Sequence, residues 1–299
     1  MVKGPEILSR KEIDDALWDH KVKSSAWFRP YYLTDYLDVA CENWQAMVWG
    51  DYELLWPVPY KKSPLPQVYQ PLLCQQLGPL PTGLQLTSDH ILQGWRRLQK
   101  QFWRIEIKFN SNIESIPLRH TVHQNFELDL SRPYETIVGE YSRNARSNIK
   151  KAIDGGVQVI QTAAHVPQII ETFKLLKGRN IKALNRDYYL AVQHIFDKYS
   201  PESAVAFVAQ NTNAEFLAGV CVLSLVGRVV YLFSGHTIEA RGIGANHLLV
   251  DHIIAHYAGK SAILDFEGSD NPGLAFFYQS FGAHKTLYLR AFQRFNFPI

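Results

Sequence analysis

A chain of 299 residues, 46% hydrophobic and 20% charged, has the composition of a folded protein and excludes an intrinsically disordered one. Its 31 basic and 28 acidic side chains leave a formal charge of +3, too small to argue for nucleic acid, so any anion site must come from local clustering. Cys41, Cys74 and Cys221 stand far apart among apolar residues, which speaks against a disulfide framework and reads as reduced thiols in a cytoplasmic protein.

Residues 1–18 mix Lys3, Glu6, Arg10, Lys11, Glu12, Asp14 and Asp15 with scattered apolar residues, unlike a secretory leader. A short helix is expected over 35–43. A hairpin follows, with strands at 46–49 and 52–58 and Gly50-Asp51 as its turn. The Pro- and Gly-rich stretch 71–83 reads as loop, and 88–101 as helix. A longer helix is expected from near Ser131, with Pro133 in its first turn, to the stop at Gly155-Gly156. Helices at 166–176 and 186–199 lead to strands at 203–210, 216–226 and 228–234, broken by the turn-prone 211–214 and by Gly227. These three predict an antiparallel meander. An apolar helix over 245–257 and a strand over 262–266 complete the pattern. The longest apolar stretch, 217–226, is too short to span a bilayer, so no membrane span is expected. The interleaved strands and helices predict an α/β (α+β) class, with lobes at 1–140 and 141–299 and a boundary zone between 130 and 156.

Four segments carry residue types suited to chemistry. On the helix through 141–152, Arg143, Arg146 and Lys150 share one face at i, i+3 and i+7, a candidate site for a phosphate or carboxylate of a substrate. A solvated helix face explains the same run. Around Arg241-Gly242-Ile243-Gly244-Ala245, between a strand and a helix, two glycines let backbone N–H groups converge where a pyrophosphate is favoured, and Arg241 adds a charge. A tight turn needs the same glycines. Asp265 and Glu267 alternate at the end of the strand over 262–266, and Tyr278 lies in a Phe-rich helical turn ending at Gly282. His247, His252 and His256, with Asp251, share one helix, but without H-E-x-x-H or an evident third ligand no metal site is expected.

The run 239–244, Glu-Ala-Arg-Gly-Ile-Gly, resembles the acyl-CoA loop of GNAT enzymes, Gln/Arg-x-x-Gly-x-Gly/Ala, with an acid at the first position; a second register begins at Arg241 and ends at Asn246. The stretch 275–282 resembles the GNAT segment whose tyrosine protonates the leaving thiolate, a role that would fall on Tyr278. Asp265, Phe266, Gly268, Ser269, Phe277, Phe281 and Gly282 also match the C-terminal signature of the Fem aminoacyltransferases, with Tyr278 in place of their lysine. The basic helix is similar to the Fem helix entering the second lobe, and 56–62 with 71–79 are similar to segments of the Fem N-lobe. The matches run in family order from about 36 to 290.

The resemblance implies two GNAT-like lobes, each a mixed, mainly antiparallel sheet flanked by helices. It also implies transfer of an acyl or aminoacyl group from an activated donor to an amine. Acyl-CoA is the implied co-substrate with no metal; tRNA is admitted as a partner but not favoured. Tyr278, Glu267 and Asp265 are the expected catalytic residues. A GNAT-fold protein that binds ligand without catalysis is the alternative.

Overall fold

The computed structural model describes residues 4–176 and 184–294. The chain runs β1 (Glu6–Ser9), α1 (Asp15–Ser24), α2 (Thr34–Ala40), β2 (Trp44–Trp49), β3 (Leu54–Lys61), β4 (Gln67–Val68), β5 (Leu80–Pro81), α3 (Ser88–Gln99), β6 (Arg104–Lys108) and β7 (His120–Asp129). It continues α4 (Tyr134–Gly139), α5 (Arg143–Asp154), β8 (Gln158–Gln161), α6 (Val166–Leu176), α7 (Arg186–Tyr199), β9 (Ala204–Gln210), β10 (Phe216–Leu225), β11 (Arg228–His236), α8 (Ile238–Gly242), α9 (Ala245–Tyr257), β12 (Ile263–Asp265), α10 (Pro272–Gln279) and β13 (His284–Arg294).

Two compact units result: Met1–Gln124 with Leu287–Ile299, and Asn125–Thr286. The chain passes between them inside β7 and returns inside β13. The division expected at 140/141 therefore lies within the second unit. No element was expected over 284–294, where β13 forms.

In the first unit β1, β2 and β3 pair antiparallel, β4 lies parallel to β6, and β13 pairs antiparallel with β6. The buried face carries Met47, Trp56, Val58, Ile105, Ile107, Leu289 and Ala291, and packs on Ile91, Trp95 and Leu98 of α3. Alternation explains the strands: Ile105 and Ile107 point inward, while Arg104, Glu106 and Lys108 are only partly buried.

In the second unit the expected meander is present, with β10 antiparallel to both β9 and β11. β8 extends it beyond β9. On the other side β12 lies parallel to β11, and β7 antiparallel to β12. Ala218, Val220 and Val222 face one core with Leu249, Ile253 and Ile254 of α9. On the opposite face, Gly219 and Gly235 let α6 settle on the sheet: an added Cβ at Gly235 would stand 2.2 Å from the Ile169 carbonyl oxygen.

The single helix expected from Ser131 to Gly155 is two. α4 ends at Gly139, and Ser142 starts α5 by accepting the Ala145 N–H at 3.1 Å. A helix-compatible pattern on both sides hid this local cap, which competes with helix continuation.

The β10–β11 hairpin closes through Val226 (φ +45°) and Gly227 (φ +68°), with Leu225 opposite Arg228. Both turn residues are left-handed, as a type I′ turn requires, and a β-branched residue is strained there. Val226 is about half exposed and contributes little burial to offset the strain. Val226→Asn is expected to raise unfolding free energy by about 1 kcal/mol, measured by urea denaturation; no gain would mean the turn relaxes without strain.

Candidate active site

The centre of the second unit is a polar cluster under the end of β12. Asp265 is fully buried, and Arg228 and Glu127 are each only 7% exposed. Arg228 Nη1 donates to Asp265 Oδ2 at 2.6 Å and to Glu127 Oε1 at 2.9 Å. Asp265 Oδ1 accepts from Asn125 Nδ2 at 3.1 Å and from the Glu267 N–H at 3.0 Å. The registers Asp265↔Glu127 and Val230↔Asp265 bring these groups together from β7, β11 and β12. Carboxylates taken from water need such partners.

Above this cluster the sheet opens. β11 and β12 are paired only from Arg228↔Ile263 to Val230↔Asp265, whereas β11 runs on to His236. Opposite β10, Cys221 faces Phe233 but Val222 faces Tyr231, so Leu232 is an extra residue in β11. Such a bulge bends a strand away from its neighbour. From Tyr231 onward β11 runs beyond the end of β12 and, among the described strands, is paired only with β10.

Aromatic rings line both sides of the divergence. Tyr278 stacks on Phe266 with ring centroids 4.6 Å apart, and lies 5.9 Å from Phe126 and 6.4 Å from Tyr231. Phe233 meets Phe173 at 4.8 Å and Tyr188 at 6.3 Å. Glu267 links the two groups electrostatically. Burial first, then Tyr231 and the charge of Glu267, push the Tyr278 phenol far above the ordinary tyrosine range. Burial and then Glu267 likewise raise Tyr188. Tyr278 is thus a neutral hydrogen-bond donor across the working pH range. Among the described residues no hydrogen bond reaches its hydroxyl. Glu267 itself sits at φ +57°, a conformation non-glycine residues seldom adopt, next to Gly268 at φ +65°.

The glycine segment follows β11. Gly244 has φ +79° and is the N-cap of α9, without a side-chain cap. An added Cβ would stand 2.2 Å from the Asn148 carbonyl oxygen of α5, so glycine is required there for packing as well as for its dihedral. Gly242 ends α8 in open space. Ala245 is fully buried, Ile243 is partly buried and Arg241 is exposed. Arg241 Nε donates to His236 Nε2 at 2.9 Å. Glu239 lies in the first turn of α8, where an acid is favoured, and not at the start of α9. His247, in the first turn of α9, packs on Phe277 at 4.9 Å and so joins the start of α9 to the helix bearing Tyr278.

The basic stripe of α5 is partly committed elsewhere. Arg146 Nη2 donates to the carbonyl oxygens of Val138 (3.2 Å) and Gly139 (2.7 Å) at the end of α4, and Lys150 pairs with Asp154 at 3.1 Å. Arg143 is exposed. Lys151, which was not singled out, is the α5 cation that reaches the loop, donating to the Gly242 carbonyl. Tyr188, Tyr231, Phe233, Glu127 and Arg228 were also not recognised, because each reads in sequence as an ordinary strand or helix residue.

The histidines do not converge on a metal. His256 meets Gln161 at 2.9 Å, and among the described residues no group of three or more His, Cys, Asp or Glu side chains is placed to hold an ion.

Residues 139–272 match the family model described as Acetyltransferase (GNAT) domain. FemX aligns over 95% of this chain and 96% of its own, with a TM-score of 0.67 at 13% identity. The chain has a Fem-like GNAT fold. Two further structures are similar: a DUF2156 domain from Agrobacterium fabrum (TM-score 0.60, 11% identity, 96% of this chain and 92% of that one) and L-PGS from Bacillus licheniformis (0.56, 11%, 95% and 92%). Their identities are low enough that the likeness is one of fold. No curated protein sequence matches the chain. Within the GNAT fold here, the glycine segment and Tyr278 lie on successive helices after the bulged strand, and no described helix is long and apolar enough to cross a membrane.

Replacing Arg228 leaves two buried carboxylates without their cation, so Arg228→Met is expected to cost about 3–5 kcal/mol in chemical denaturation. A loss below about 1 kcal/mol would show that the cluster is hydrated and soft. Burial lowers the His247 pKa from 6.5 to about 4. The folded state therefore resists protonation while the unfolded chain accepts it, and stability falls as pH drops from about 6.5 towards 4. His247→Phe should flatten this part of the pH–Tm profile; an identical slope in the variant would rule out that assignment.

Proposed function

We propose that this chain is an N-acyltransferase that moves an acyl group from an activated donor, an acyl-CoA thioester in the first instance, to an amine. The observation that carries the reading is the divergence of bulged β11 from β12 beside Tyr278 and Glu267, with the uncapped start of α9 following on the same chain. Unpaired strand backbone offers amides and carbonyls to an extended donor, and the first N–H groups of α9 suit its diphosphate. Arg241, Gly242, Ile243, Gly244 and Ala245 form that end of the proposed site, with Lys151 beside it.

An attacking amine must first be neutral. Glu267 is assigned the proton, directly or through a water. Asp265 has both oxygens engaged by Arg228, Asn125 and the Glu267 amide, so its assigned role is to hold the turn that presents Glu267. The tetrahedral oxyanion is assigned to the Tyr278 hydroxyl. With its pKa far above that of a thiol, about 8.5, full proton transfer to a departing thiolate is uphill, and hydrogen bonding to developing charge is the better use of this phenol. Of the α5 stripe, Arg143 is assigned to an anionic group of the substrate, because Arg146 caps α4 and Lys150 has Asp154. The chemistry is positioning and charge stabilisation, without a covalent enzyme intermediate.

Tyr278→Phe is expected to lower kcat about a hundredfold with little change in KM, since the lost hydrogen bond forms only as charge develops. Unchanged turnover would discard this assignment. Acetyl-CoA should raise the Tm of the purified chain. A melting curve unmoved across acyl-CoAs would remove that donor, and a raised Tm without turnover on any amine would favour a binding protein.

A further inference from the structure

The outward face of the first unit's sheet is more basic than folding alone would favour. β6 and β13 pair with Arg290 opposite Lys108, Phe292 opposite Glu106 and Arg294 opposite Arg104. Directly opposed residues share a face, so two of these three cross-strand pairs set like charges side by side. Glu106 lies among them and binds Arg104 Nη2 at 2.9 Å and Arg290 Nη2 at 2.8 Å.

Two adjoining hollows border this face, of about 470 and 610 Å³, sharing Arg119 and Phe292; the smaller lies on it, and the larger reaches round the end of β13 to Leu92, Trp95 and Arg96 of α3. Between them Arg96, Arg104, Arg119, Arg290 and Arg294 contribute five guanidiniums, and among the described residues no acid lines either one. Rings hold several of these cations in place: Arg104 and Arg290 lie 5.1 and 6.0 Å from the centre of Phe292, and Arg294 lies 4.4 Å from that of Trp103. The face is rich in guanidiniums and ordered before any partner arrives.

The chemistry of the larger hollow says which polyanion it fits. Its walls include Leu92, Trp95, Pro117, Leu118 and Phe292 beside the arginines, and Phe292 is 43% exposed. Guanidiniums already crowd the Phe292 ring, which leaves it poorly placed to stack on a nucleobase, whereas an aliphatic wall gives nothing to a phosphodiester backbone. Apolar walls with a cationic rim match an amphiphile that carries its phosphate next to hydrocarbon. We infer that this face docks the protein on the surface of an anionic phospholipid membrane, with Arg96, Arg119 and Arg294 meeting headgroup phosphates and Phe292 with Leu118 entering the interface. Each arginine near such a surface contributes about 1 kcal/mol, and an exposed ring adds apolar transfer.

Co-sedimentation of the full chain with vesicles tests this. The chain should pellet with phosphatidylcholine vesicles carrying about a third phosphatidylserine, stay in solution with pure phosphatidylcholine, and be largely released by about 1 M NaCl. Arg96→Ser with Arg119→Ser, both exposed positions, should weaken binding by about tenfold or more at an unchanged Tm. Phe292→Ser should abolish the fraction still bound at high salt. Absence of binding to the anionic vesicles overturns the inference, as does equal binding to neutral ones. Displacement from vesicles by a single-stranded RNA homopolymer that binds tighter, through the same two arginines, would make this a nucleic-acid surface and overturn it too. The wild-type salt titration decides the matter even if a variant fails to fold.

Discussion

Arg228 sits buried between two carboxylates, and much of the second unit is arranged around that fact. β12 is only three residues long, Ile263–Asp265, too short for its ladder alone to fix its position. The ion pairs to Asp265 and Glu127, with the Asn125 amide, clamp it between β7 and β11. Removing three polar groups from water carries a penalty that good geometry offsets only in part. In return the last paired step of the sheet is pinned. Beyond it β11 carries the Leu232 bulge and runs past the end of β12, and the same Asp265 that accepts from Arg228 also accepts from the Glu267 amide.

The candidate site is thus supported from below by charge and at its sides by rings. Phe266, Tyr231 and Phe126 restrict the Tyr278 ring to one orientation, while burial keeps its phenol protonated. Glu267 occupies a strained backbone conformation that the turn through Gly268 imposes. Strain at one acid beside a buried phenol is a cost that packing alone does not explain, and it supports assigning chemistry to this pair.

The first unit shows the same tension in another form. Its inner face is a conventional apolar layer over α3, but its outer face sets arginine against lysine and arginine against arginine, with Glu106 bound to Arg104 and Arg290. A surface evolved only for solubility would intersperse the signs. The formal charge of the chain, +3, conceals this entirely, because acids elsewhere cancel the cluster in the sum.

Local chemistry made several features legible in the sequence. The β9–β11 meander follows from β-branched runs separated by turn residues. A helix at 88–101 is expected after the Pro- and Gly-rich loop, and α3 forms at Ser88–Gln99; the glycine segment is read from its place between a strand and a helix. The order of soft motifs pointed to a Fem-like GNAT fold. The break at Ser142 was hidden because a cap and a continuing helix use the same residues. The strand β13, and the return of the chain to the first unit, were hidden because partners 184 residues apart, such as Glu106 and Arg290, leave no local trace. Asp265 and Glu267 read as equivalent acids on one strand. Only the tertiary structure separated them, by burying Asp265 fully against Arg228 and leaving Glu267 partly buried at a left-handed position, since the surroundings of a charge depend on residues far apart in sequence.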